Sequence, residues 1–88
     1  MGAAYYYEDA SRDGIVYEIY RRVENSIATI VTKVERSEEN NRSAHYTIET
    51  KDYDPAIDFK NLVVISKEEF DEQYDIANDS PRLLKIYK

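Results

Sequence analysis

Eighty-eight residues, no cysteine and a formal net charge of −6 describe one small domain held together by packing alone. Disulfides and thiolate–metal staples are excluded, and a chain of this size buries only about 60–70% of its unfolded surface. The acidic balance disfavours phosphate-backbone binding, which runs on Lys and Arg, and two glycines leave no material for a Gly-rich phosphate loop.

The charge is uneven. Asp52 to Asp79 holds nine acids against Lys60 and Lys67, whereas the tail carries Arg82, Lys85 and Lys88. Such a surface suits a partner with a basic groove. No apolar run approaches the roughly 20 residues that cross a bilayer. Met1-Gly2-Ala3-Ala4 followed by three tyrosines lacks the basic and apolar regions of a signal peptide. Tyr6 stands where a myristoylation signal wants Ser or Thr. The glycosylation triplets Asn41-Arg42-Ser43 and Asn78-Asp79-Ser80 are then chance matches, and a cytoplasmic, reducing location is expected.

Residues 1–88 are expected to form a single α+β domain. Tyr5–Glu8 is a weak strand candidate, and Asp13-Gly14 after it is turn chemistry that closes a hairpin onto Ile15–Arg22. In Ile15–Arg22, residues Ile15, Tyr17 and Ile19 share one face; in Ile27–Arg36, Ala28, Ile30, Thr32 and Val34 do. Both alternations predict strands, and the short Glu24-Asn25-Ser26 break predicts an antiparallel hairpin. Ser37–Ser43 is polar and aperiodic, hence a loop. His45–Thr50 resumes the alternation until Asp52-Tyr53-Asp54-Pro55 ends it. Leu62–Ile65 is a continuous apolar run, expected as a buried strand.

Ser66-Lys67-Glu68-Glu69 matches the S-x-x-E capping box and starts a helix from Lys67 to about Ala77. Phe70, Tyr74 and Ala77 form its apolar stripe. Asn78–Pro81 should stop it, leaving Leu83–Tyr87 as a last strand. The expected architecture is an antiparallel sheet of four to six strands with one helix on one face, the helix lying between the last two strands.

Chemistry is scarce. His45 has Glu49 on its own strand face, but about 13 Å away along the strand, so no acid–base dyad forms there. Asp52, Asp54 and Asp58 imitate the opening of a calcium loop, yet Ala56, Ile57 and Val63 occupy positions that require a ligand, Gly and Glu. No metal, cofactor or catalytic residue is expected, and no enzymatic activity.

The helix stacks Glu68 over Glu72 and Asp71 over Asp75, a spacing that costs a few tenths of a kcal/mol per like-charged pair. A face that accepts this penalty points to a partner. The nine tyrosines add contact area with polar tips, as interfaces favour. The expected function is a non-enzymatic protein-binding module, an inhibitor or adaptor, with anti-defence or antitoxin-like roles and DNA mimicry as variants. Its binding surface comprises Glu68, Asp71, Glu72 and Asp75 on the helix, Asp79 in the segment that stops it, and Asp52, Tyr53 and Asp54 in the turn after the third alternating run. The alternatives are an assembly subunit, including homo-oligomers, that pairs through a sheet edge formed by Tyr5–Glu8 or Leu83–Tyr87, and a single-stranded nucleic-acid binder.

Overall fold

A computed structural model describes residues 2–38, 41–53 and 62–87, with side chains left aside at 37, 38, 41–43 and 80–87. Five strands, β1 (Ala4–Asp9), β2 (Ile15–Glu24), β3 (Ile27–Glu38), β4 (Asn41–Asp52) and β5 (Val63–Val64), precede one helix, α1 (Lys67–Tyr87). They form one antiparallel sheet in the order β4-β3-β2-β1-β5. The chain leaves the sheet at Asp52 on one edge and rejoins it at Val63 on the other.

Two tight turns set the register. Arg12 and Ile15 exchange both backbone hydrogen bonds (3.1 and 2.9 Å) around Asp13 (φ 55°) and Gly14 (φ 77°). Asn25 (φ 55°) and Ser26 (φ 64°) make the equivalent turn between Glu24 and Ile27, which pair. Positive φ at both central residues gives the backbone twist that matches antiparallel strands. The Ser26 carbonyl also accepts the Tyr53 amide at 3.0 Å, which ties the end of β4 to this turn.

Because side chains alternate along each strand, the pairs Tyr20↔Val31, Tyr7↔Tyr20 and Val31↔Ile48 lie on one face. That face receives α1. Val31 and Phe70 are fully buried and Ala77 nearly so, with Tyr5, Tyr20, Tyr46, Ile65 and Tyr74 packed around them. Phe70 meets the Tyr5 ring at 5.7 Å and the Tyr74 ring at 5.9 Å between centroids. Ala28 and Ile30 are buried on the opposite face, beside a half-buried Arg21–Glu8 ion pair of 2.9 Å. The helix therefore sits on the face of β3 that carries Thr29, Val31, Lys33 and Glu35, which is the more polar of the two.

Three expectations are corrected. The helix is not enclosed by strands: it follows the short β5 and runs on through Pro81 to Tyr87, so Leu83–Tyr87 is helical. Five residues are too few to separate a period of 2 from one of 3.6, the leucines are good helix formers, and a helix already docked by Phe70 and Ala77 extends without a new nucleation cost. The Ser37–Ser43 segment is mostly strand, since Ser37 pairs with Arg42 and Glu38 with Asn41; ladder hydrogen bonds are made by the backbone and do not require apolar side chains. Finally, Val63 and Val64 are 56% and 77% exposed. The apolar run forms a two-residue edge on β1 and not a buried strand.

Candidate functional site

Ser66 fixes the start of the helix. Its Oγ accepts the Glu69 amide at 3.1 Å, and its carbonyl accepts the Phe70 amide at 3.3 Å. Half of the capping box is thus as expected. The other half differs, because the Ser66 hydroxyl itself donates to Glu69 Oε1 at 3.4 Å. Glu68 and Glu69 in the first turn suit the positive end of the helix dipole.

With the start fixed, rotation of about 100° per residue places each side chain. Phe70, Tyr74 and Ala77 span a narrow arc that faces the sheet. Glu68, Asp71, Glu72, Asp75 and Asp79 fall within about 100° on the opposite side. Glu68, Glu72, Asp75 and Asp79 are exposed, and Glu68, Glu69, Asp71, Glu72 and Asp75 line a shallow open groove. The burial of Phe70 and Ala77 is what turns the acids outward.

Asp71 is engaged by its neighbour on the helix. Lys67 Nζ donates to Asp71 Oδ2 at 2.6 Å, one turn along the helix. That hydrogen bond, reinforced by the Asp71 charge, holds the Lys67 ammonium above its usual pKa. Asp71 is partly neutralised, so the negative stripe centres on Glu68, Glu72 and Asp75.

The residues expected to join this surface from before the helix start at the end of β4. Asp52 is exposed there and paired with Ile27 across the sheet. Tyr53 is half-buried, its amide bound to the Ser26 carbonyl. Asp54, like Asp58 of the calcium-loop pattern, lies outside the described residues. Among the described residues, no cluster of three metal-ligating side chains occurs, and no helix is long and apolar enough to cross a membrane.

Two groups were not legible as a site in the sequence. Arg22 places its guanidinium 5.3 Å from the Phe70 ring centre and 5.7 Å from that of Tyr74, capping the aromatic cluster from β2. Nearby on the same face, Glu18 accepts the Tyr7 hydroxyl at 2.7 Å and lies 3.5 Å from the Tyr20 hydroxyl and 3.9 Å from Lys33 Nζ. Burial, then the hydrogen bond to Glu18, holds the Tyr7 phenol well above its usual pKa. Burial and the Glu18 charge push Tyr20 up to about 12. Phenols this reluctant to ionise serve as hydrogen-bond donors and are poor general bases. Alternation on β2 puts Glu18 with Tyr20 and Arg22, but only the pairing with β1 and β3 brings Tyr7 and Lys33 to it.

No family model, curated protein or solved structure matches this chain.

Proposed function

We propose that this domain is a non-enzymatic protein-binding module of the cell interior, an inhibitor or adaptor that presents the acidic stripe of α1 to a basic surface on another protein. The observation that carries the reading is the division of the helix: Phe70 and Ala77 are buried against the sheet, while Glu68, Glu72 and Asp75 stand exposed on the opposite side. Opposed charge steers encounter and sets register more than it supplies affinity, so the exposed aliphatic side chain at the border of the stripe, Ile76 at 41%, adds apolar contact. The partner is a protein with a basic groove, of the kind that otherwise accepts a nucleic-acid backbone.

The test is capture of partners from lysate on the immobilised domain, beside a variant with Glu68, Glu72 and Asp75 changed to Lys. Partners identified by mass spectrometry should disappear from the variant and should elute near 1 M salt, where the screening length falls to about 3 Å. Circular dichroism should stay native, since all three side chains are exposed. Retention of the same partners by a folded variant would refute the acidic-face reading.

A further inference from the structure

We propose that this chain pairs with a second copy of itself through the open edge of β4, antiparallel, about a two-fold axis at Thr47, so that two five-stranded sheets join into one. The proposal is independent of the acidic helix face.

The two edges of the sheet are unlike. β5 covers β1 with two residues, after which the chain turns into α1. At the other edge, β4 pairs with β3 from Ile27↔Asp52 to Glu38↔Asn41 in one unbroken register, and among the described residues no strand flanks its outer side. His45, Thr47, Ile48, Glu49 and Thr50 are all exposed, and they come from both faces of the strand. A long edge in unbroken register and without proline is a template for another strand.

What fits that template is decided by the order of its side chains. A two-fold axis perpendicular to the sheet keeps each residue on its own face and pairs positions equidistant from the axis. With the axis at Thr47, Thr47 meets its own copy, Tyr46 meets Ile48, His45 meets Glu49 and Ala44 meets Thr50. Tyr46 and Ile48 lie on the helix side, and His45 and Glu49 on the other. An aromatic–β-branched pair, a threonine pair and a pair joining a carboxylate to an imidazole are each favourable across antiparallel strands, and all but the central pair occur twice. Moving the axis to Ile48 sets Glu49 against Thr47 and His45 against Lys51. Moving it to Tyr46 sets Ile48 against Ala44. Of these three registers, only the one at Thr47 sets an imidazole against the Glu49 carboxylate, which already has the Lys51 ammonium 4.0 Å away on its own strand; the other two oppose it with Thr47 or Ser43.

The experiment uses the full chain. Sedimentation equilibrium should show a reversible monomer–dimer equilibrium. His45→Glu or Glu49→Lys should weaken it roughly tenfold, and the double variant should recover most of that loss, because opposite charges then face each other. The chain has no cysteine, so Thr47→Cys gives a second readout: mild oxidation should link it into a dimer, and Thr50→Cys should link far more slowly. Reversal of Glu68, Glu72 and Asp75 should leave the dimer unchanged. A strict monomer at the highest soluble concentration, a dimer indifferent to both substitutions, or equally fast linkage at 47 and 50 would each overturn the proposal.

Discussion

Two regions of one sheet face lie a single residue pair apart and behave differently. Where Tyr20 pairs with Val31, the face is dry: Val31 and Phe70 have no exposure, and Ala77 closes over them. Where Glu18 pairs with Lys33, the face is polar, and both side chains keep about a quarter of their surface exposed. Tyr20 belongs to both, with its ring against the apolar cluster and its hydroxyl toward Glu18. Tyrosine makes the border possible because one end is apolar and the other can hydrogen-bond. The apolar half supplies stability, while the polar half fixes the orientation of the tyrosines.

Removing the ring at the centre of the dry half should do most damage. Phe70→Ala is expected to cost about 3–5 kcal/mol, much of the 5–15 kcal/mol that holds a typical domain folded. Urea denaturation should find the variant largely unfolded or barely stable, and a loss under about 1 kcal/mol would mean that α1 is not the anchor of the core. Arg22 stands at the rim of the same cluster. Arg22→Ala should cost about 1–2 kcal/mol by loss of the guanidinium over two rings and of its aliphatic stem, and Arg22→Lys should recover part of it. Ser66→Ala tests the cap that aims Phe70 and should cost about 1 kcal/mol.

The polar half answers to pH. Tyr7 and Tyr20 bind their protons more tightly in the folded chain than at the ordinary value near 10. Between pH 10 and about 12 the unfolded chain has therefore lost protons that the folded chain keeps, so stability falls as pH rises; below pH 10 the effect vanishes. Tyr20→Phe should flatten the decline of the denaturation midpoint over that window without altering its slope at pH 7–9. An unchanged alkaline profile would show that the phenol is not held by Glu18 and burial. This should be the smallest effect near neutrality.

Much of the sheet was readable beforehand. The alternations at Ile15 and Ile27 gave β2 and β3 to within two residues, and Asp13-Gly14 and Asn25-Ser26 announced their turns. The helix start was legible because a cap is a local hydrogen-bond problem solved by Ser66 and Glu69. The acidic stripe could be listed from i, i+4 spacing, although the Lys67–Asp71 pair that weakens it was not foreseen. That Tyr53, expected in the binding surface with Asp52, is half-buried and ties its amide to the Ser26 carbonyl follows from the β2–β3 turn and not from its neighbours in sequence.

Local order along the chain settled which residues alternate, where turns fall and where the helix begins, because each depends on neighbours within about four positions. Which face of the sheet the helix covers, the order of the strands and whether Leu83–Tyr87 is strand or helix were decided only in three dimensions. Those outcomes rest on contacts between residues far apart, such as Val31 with Phe70 and Arg22 with Tyr74, whose energies no short window of sequence contains.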